Sequence, residues 1–270
     1  MSNNKGQEEQ QRFVDAYNKA VDLQTYDEFE KAYKLLVPLV EKWGRASEQN
    51  ILGDMYYGGL GVSQSYKKAM KWFRLSAEQG DAKAQNALAY MYTHKEGVFF
   101  RDYKEAVKWY RLSAEQENAE GQVGLGAMYA DGLGVSQDHE EAVKWYRLSA
   151  EQGHSGAQYN LGLLYDNGQG VPHDYKEAVR LYRLAAKKGV TNAQTKLGEM
   201  YSKGQGVEQD YVLGCAWIYL ARFKLDQFDQ SAMKDIDRME EKMTPAQIVE
   251  AQKTAKTWRN AEMNGRPFGQ

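Results

Sequence analysis

Hydrophobic positions along most of the chain follow the spacing of amphipathic helices. In one stretch, Gln85, Leu88, Met91 and Tyr92 fall at i, i+3, i+6 and i+7, which places them on one helix face. A second amphipathic stretch follows after a short polar turn, and the pair of stretches returns about every 36 residues. This alternation predicts an all-α chain built from helix–turn–helix repeats.

Two independent registers define the repeat. One is marked by Trp72, Trp109, Trp145, Leu181 and Trp217, at spacings of 37, 36, 36 and 36 residues. The other is marked by a leucine and a tyrosine four residues later, at Leu52 and Tyr56, Leu88 and Tyr92, Leu125 and Tyr129, Leu161 and Tyr165, and Leu197 and Tyr201. One helix pair cannot bury its apolar stripe alone, so we expect these side chains to form a continuous core between stacked repeats.

Turn and capping residues recur in the same register. A Gly-x-Gly-Val turn, whose glycines suit positive φ, lies between the helices at residues 59–62, 132–135, 168–171 and 204–207. The second helix is predicted to begin after Asp102, Asp138, Asp174 or Asp210, and in three copies a glutamate three residues on suggests a capping box. Gly80, Gly153 and Gly189 are predicted to end it in the left-handed conformation.

The repeat divides the chain into three parts. Residues 1–44 are predicted to hold an N-terminal tail and a capping helix pair, and residues 225–270 to hold C-terminal capping helices and a tail. Between them, residues 45–224 hold five repeats, at 45–80, 81–117, 118–153, 154–189 and 190–224. We expect residues 1–9 and the segment from about Asn264 to be poorly ordered.

The repeats resemble the Sel1-like repeat family, which is related to the tetratricopeptide repeats. The resemblance is carried by Ala157-Gln158-Tyr159-Asn160-Leu161-Gly162-Leu163-Leu164-Tyr165, then Gly168-Gln169-Gly170-Val171, Asp174-Tyr175, Ala178 and Tyr182. It implies a right-handed α-solenoid with an adaptor role, and the segment around Thr244 is similar to a common ending of bacterial members. Immunity-type factors and exported, host-targeting factors also occur in the family and stay open as alternatives. A cysteine-rich branch linked to β-lactam binding does not fit, because Cys215 is the one cysteine.

Variable positions on the first helices form the predicted partner site. With the shared leucine as reference and about 100° per residue, the nearly constant positions share one arc, and positions −2, +2 and +5 lie opposite it. In this architecture the first helices usually line a concave groove. The variable positions are Asn50, Asp54, Tyr57, Asn86, Tyr90, Thr93, Val123, Ala127, Ala130, Tyr159, Leu163, Asp166, Thr195, Glu199 and Ser202. Their mix of tyrosines, carboxylates and small residues is typical of protein interfaces.

An irregular turn in the second repeat adds a second candidate contact. It is one residue longer than its counterparts, lacks one glycine, and carries Phe99 and Phe100 where other copies have polar residues. Adjacent phenylalanines in a loop suggest a contact patch. The competing interpretation is that the longer loop folds them onto the repeats.

Charge and motif content favour a binding protein over an enzyme. The net charge is −2 with 27 % charged residues, so no basic face predicts nucleic-acid binding, and the interleaved tryptophans belong to the predicted core. The four histidines do not share a helix face, and the glycine turns follow helices and lack a lysine partner, so we expect no metal and no cofactor. A hydrolase using groove carboxylates remains the alternative of another class.

The sequence therefore predicts a non-catalytic scaffold that binds a protein or peptide partner. We expect a monomer, although the oligomeric state and the identity of the partner stay open. With no apolar leader and no apolar run long enough to span a bilayer, the chain as written is predicted to be cytoplasmic. An exported form with a trimmed signal stays open as well.

Overall fold

A computed structural model describes residues 2–97, 101–223, 230–266 and 268–269. These residues form fourteen α-helices and contain no strand, as the sequence predicts. Within each unit described below, neighbouring helix pairs are in contact, consistent with an α-solenoid. The chain divides into two compact units, residues 1–137 and 138–270, and each is described by itself.

The first unit contains seven helices: α1 (Ser2–Leu23), α2 (Tyr26–Trp43), α3 (Ala46–Gly58), α4 (Tyr66–Glu78), α5 (Ala82–His94), α6 (Tyr103–Glu115) and α7 (Ala119–Asp131). Each helix packs on the next one along the chain, and the first helices α5 and α7 also touch each other. Helices α3, α5 and α7 are the first helices of their repeats, and α4 and α6 are second helices.

The second unit also contains seven helices: α8 (His139–Glu151), α9 (Ser155–Asn167), α10 (Tyr175–Lys187), α11 (Thr191–Lys203), α12 (Tyr211–Arg222), α13 (Gln230–Glu240) and α14 (Pro245–Met263). Helices α9 and α11 are first helices, and α8, α10 and α12 are second helices. Helix α12 packs against α11 on one side and against α13 and α14 on others. Within the described residues, every helix falls short of the length and apolar character that crossing a bilayer requires.

The predicted helix caps are present, with one difference. The side chains of Asp102, Asp138 and Asp174 accept from the backbone N–H three residues later at 3.0, 3.0 and 3.1 Å. The glutamates at that position pair with a lysine or arginine three residues on instead of closing a capping box. Among the described helices with a defined cap, the reciprocal box forms at Thr244 and Gln247.

Glycines allow the close packing that the sequence predicts. A Cβ on Gly53 would lie 2.6 Å from the Phe73 ring, so α3 and α4 could not approach so closely with a larger residue. In the turn after α7, Gly134 has φ +74°, and a Cβ there would lie 2.4 Å from the Tyr103 carbonyl oxygen. This turn therefore rests directly on the start of the preceding second helix.

Recurring hydrogen bonds join successive helices. A second-helix arginine donates to the tyrosine eighteen residues later: Arg74 to Tyr92 at 2.5 Å, Arg111 to Tyr129 at 2.7 Å, Arg147 to Tyr165 at 3.0 Å and Arg183 to Tyr201 at 2.8 Å. The recurrent serines also bond within their repeats, since Ser76 donates to the Ala46 carbonyl at 2.7 Å and Ser113 to that of Ala82 at 2.6 Å. These serines therefore hold the two helices of a repeat together.

The prediction that the four repeat tryptophans belong to the buried core is wrong for three of them. Trp72, Trp109 and Trp145 are half-buried, whereas Trp217 is 2 % exposed. The fully buried ring in each copy is the next residue, at Phe73, Tyr110, Tyr146 and Tyr182. Trp217 differs because α12 is covered by α14 and the C-terminal segment, where Trp258 and Phe268 pack on its indole. The charge balance, not tryptophan burial, therefore carries the argument against nucleic-acid stacking.

Segments near both chain ends pack against neighbouring helices, in contrast to the expectation of loose tails. Helix α1 already begins at Ser2, and the Glu9 carboxylate pairs with Lys42 of α2 at 3.3 Å. Near the other end, Phe268 is 7 % exposed and packs with Trp217 and Trp258. Of the predicted penultimate helix, Leu225 and Phe228 lie outside the described residues.

Candidate functional site

The fifteen variable positions on the first helices, here called the variable face, are mostly half-buried. Tyr90 is 40 % exposed, whereas Asn50 and Thr93 are each 8 % exposed. Asn50 and Thr93 are therefore largely covered, and the prediction that the variable face binds a partner stays a prediction. Phe99 and Phe100 lie outside the described residues, so their exposure stays a prediction.

One amide and one acidic side chain, those of Asn50 and Asp54, form the polar centre of the variable face in the first unit. The Asn50 amide nitrogen donates to the Asp54 carboxylate at 3.5 Å across one turn of α3. Burial raises the pKa of Asp54 to about 6, and the negative charge of Asp81 adds to the increase while Lys83 opposes it. Burial also raises the pKa of Tyr17 on α1, with the nearby charge of Asp54 contributing. The surroundings of Asp54 therefore disfavour the ionised form of its carboxylate.

A cavity of about 430 Å³ adjoins this centre. Its lining residues are Ser47, Asn50, Ile51, Asp81, Ala82, Lys83, Gln116 and Asn118. The Asn50 side-chain oxygen is buried beside it and has no hydrogen-bond partner. An unpaired buried acceptor costs about 1–3 kcal/mol, so a donor arriving in this cavity would relieve a real penalty.

Aromatic rings dominate the rest of the variable face in the first unit. Tyr90 stacks on His94 with ring centroids 3.8 Å apart, and Thr93 donates to the Tyr90 carbonyl at 2.7 Å. Tyr57 contacts the Tyr66 ring at 5.4 Å, and burial together with a hydrogen bond to Glu96 raises the pKa of its hydroxyl. The smaller Asn86, Val123, Ala127 and Ala130 are half-buried.

In the second unit the variable face is built around a different tyrosine pair. The Tyr182 hydroxyl donates to the Asp166 carboxylate at 3.1 Å, and Tyr159 packs on the Tyr182 ring at 5.8 Å. Glu199 pairs with Lys196 at 3.3 Å and with Lys203 at 3.8 Å. The hydroxyls of Thr195 and Ser202 donate to carbonyls of their own helix. Leu163 packs against the core beneath. Here every carboxylate already has a partner.

The match to a known repeat pattern settles the family. The Sel1 repeat pattern matches residues 49–81, 82–118, 119–154, 155–190 and 191–222, which is more than half of the chain. The chain belongs to the Sel1 repeat family. Proteins of this family generally act as protein–protein interaction scaffolds.

Solved structures of Sel1 repeat proteins are similar over nearly the whole chain. A Sel1 repeat protein from Oxalobacter formigenes is 30 % identical with a TM-score of 0.73, and the match covers 94 % of this chain and 100 % of that one. A protective antigen from uropathogenic Escherichia coli, c5321, is 27 % identical with a TM-score of 0.60, covering 92 % of this chain and 64 % of that one.

One curated relative is a much longer protein. The HRD3B component of an ERAD-associated E3 ubiquitin-protein ligase from Arabidopsis thaliana is 36 % identical over 64 residues. That match spans 22 % of this chain and about a tenth of the length of the plant protein. This short match supports the repeat assignment alone, since most of the plant protein has no counterpart in it.

Two features of the described residues bear on catalytic chemistry. No three histidine, cysteine, aspartate or glutamate side chains among them are grouped so as to hold a metal ion. Cys215 is buried, and burial raises the pKa of its thiol to about 12, which disfavours the reactive thiolate. The hydrolase alternative and the immunity or host-targeting alternatives stay untested predictions.

Three contributors to the site escaped the sequence argument. Asp81 and Lys83 influence the Asp54 carboxylate and line the adjoining cavity, and the charge of Asp54 in turn acts on Tyr17, although none of the three is at a variable position of a first helix. The helical wheel compares positions within one helix and therefore misses side chains from helix starts and from α1. The unusual pairing of an acidic cap with a lysine at Asp81 and Lys83 was a usable signal.

Proposed function

We propose that this chain is a non-catalytic scaffold that binds a segment of a partner protein on the variable face of its first helices. The observation that carries the proposal is the unpaired, buried Asn50 oxygen at the edge of a cavity, beside the desolvated Asp54 carboxylate. Both groups reduce stability in the free protein, and a bound donor would compensate both. Family membership supports the same role.

The acceptor character of this centre favours a particular partner chemistry. Asn50 offers a carbonyl oxygen, and Asp54 and Asp81 offer carboxylates, against a single lysine at position 83. A lysine or arginine side chain of the partner would donate to these oxygens and keep Asp54 ionised. Tyr90 and Tyr57 supply ring surface for the aliphatic part of such a side chain.

The test begins with affinity capture and continues with the purified partner. A variant carrying Asp54→Lys, Asp166→Lys and Glu199→Lys should bind that partner at least about tenfold more weakly, because the partner's cations would meet like charges. A milder variant with Asn, Asn and Gln at these positions checks that the loss follows charge and not misfolding. Both should retain the helical circular dichroism of the parent chain.

The matched control reverses three exposed carboxylates on second helices: Glu78→Lys, Glu115→Lys and Glu140→Lys. It makes the same change in net charge away from the variable face, so binding should stay near the parent value. Equal weakening by both charge-reversal variants would show a general charge effect and overturn the site. Unchanged binding in the Asp54, Asp166 and Glu199 variants would overturn it as well.

A further inference from the structure

Two departures from the repeat meet around the buried side chain of Gln158 in the second unit. The register that holds tryptophan at 72, 109 and 145 holds Leu181 on α10. The register that holds glutamine at 79, 116 and 152 holds Lys188 at the end of the same helix. Both positions adjoin the first helix α9, from which Gln158 projects.

Regular copies show what the second departure removes. Gln79 donates its amide N–H to the Gln49 side-chain oxygen at 2.8 Å, and Gln116 does the same to Gln85 at 2.8 Å. Gln158 keeps the other half of this pattern, since its amide nitrogen donates to the Ala150 carbonyl at 3.3 Å. Its oxygen has no partner, because Lys188 donates instead to the Gly153 carbonyl at 2.5 Å.

Gln158 is one of the residues that line a cavity of about 430 Å³. Apolar side chains of Leu161, Leu181 and Leu184 line it, together with the backbone region of Ala150 and Gly153. Gln158 is 4 % exposed and is also part of the lining. The volume is within the range of roughly 300–1,000 Å³ that small-ligand pockets occupy.

The charged groups around the cavity are already engaged or balanced. Arg180 donates twice to Glu177, at 2.7 Å each, and Arg147 donates to the Tyr165 hydroxyl at 3.0 Å. Glu151 completes a set of two arginines and two glutamates. A neutral ligand therefore fits this lining better than an ion does, and the unpaired Gln158 oxygen requires a donor from it.

We propose that this cavity binds a neutral, flat aromatic ring that carries an N–H, with the indole of tryptophan as the best match. The ring would pack on the three leucines, and its N–H would donate to the Gln158 oxygen in place of the missing glutamine. The chain itself carries an indole at the Leu181 register in the four other repeats, at Trp72, Trp109, Trp145 and Trp217. This site lies on the second-helix side of α9, apart from the variable face, and does not depend on the proposed function.

The experiment titrates the full chain with N-acetyltryptophanamide and follows the Gln158 side-chain amide by NMR. Saturable binding with a shift of that amide is expected, and the naphthyl analogue without an N–H should bind about tenfold more weakly. Free indole is the second probe: binding as tight as that of the amide indicates a small-molecule ligand, and weaker binding indicates a tryptophan of a partner protein.

Two variants restore the regular repeat and should remove the site. Lys188→Gln supplies the missing donor to Gln158, and Leu181→Trp fills the cavity with the side chain that sibling repeats carry. Each should weaken binding at least about tenfold without loss of helical signal. Lys187→Gln makes the same substitution one residue earlier, outside the glutamine register, and should leave binding unchanged. No saturable binding by the parent chain, or unweakened binding by Lys188→Gln, would overturn the proposal.

Discussion

The two faces of the first helices are held by contacts of different kinds. On the packed face the same bond recurs in four of the five copies, as Gln85, Gln122, Gln158 and Gln194 donate to a carbonyl of the preceding second helix at 3.2, 3.4, 3.3 and 3.1 Å. On the variable face the contacts between side chains differ from copy to copy: Asn50 donates to Asp54, Tyr90 stacks on His94, and Tyr182 donates to Asp166. The packed face therefore keeps one pattern through the repeats, whereas the side-chain contacts of the other face vary.

The largest expected contrast between the faces comes from two leucines on α9. Leu161 is 3 % exposed on the packed face, and Leu163, two residues later, is half-buried on the variable face. Leu161→Ala should lower the free energy of unfolding by about 3 kcal/mol, since it leaves a cavity between helices, and Leu163→Ala by about 1 kcal/mol. Urea unfolding followed by circular dichroism measures both. Equal losses would mean that the two faces contribute alike to the fold.

A substitution at Asp54 measures whether the variable face lowers the free energy of unfolding. The pKa of Asp54 is raised to about 6 in the folded chain. The stability that protonated Asp54 contributes is therefore fully present below the pKa that it has in the unfolded chain, and it is lost as pH rises through 6. Asp54→Asn should therefore stabilise the chain by about 1–2 kcal/mol at pH 7, after allowance for solvent screening.

The same variant should show no such gain near pH 4, where the parent carboxyl is protonated too. The measurement is the difference in urea midpoint between parent and variant across this pH range. A difference that stays constant with pH would contradict the raised pKa. A gain at pH 7 together with weaker partner binding would show that Asp54 is retained for recognition.

The smallest expected effect concerns the backbone conformation of one residue just after α6, at the end of the second repeat. Glu117 has φ +61° at the position where Gly80, Gly153 and Gly189 stand in other copies. Glu117→Gly should stabilise the chain by about 1 kcal/mol, because a side chain is strained in this conformation. Gly80→Ala is the reciprocal control, since its Cβ would meet nothing within 4 Å and only the backbone strain would act. Thermal unfolding measures both, and shifts of the same sign would refute this explanation.

Periodicity predicted the helices, their caps and the packed face, because these depend on residues close in sequence. It failed where the burial of a side chain depends on a neighbouring helix. Spacing does not distinguish Trp72 from Phe73 as the more buried ring, and the wheel does not show that other helices cover Asn50. Periodicity also did not predict the unpaired oxygen of Gln158, although Leu181 and Lys188 visibly replace the tryptophan and glutamine of the repeat. Departures between aligned copies are therefore as informative as the repeat itself.

The arginine-to-tyrosine bonds have a consequence for how the chain resists force. Each bond closes a loop of only eighteen residues, so the pairs from Arg74 to Tyr201 each join adjacent repeats and never distant ones. Folding can start in any repeat and spread to its neighbours, because little loop entropy is lost at each step. A chain pulled from its termini should accordingly lengthen in a series of small steps, one for each repeat that detaches.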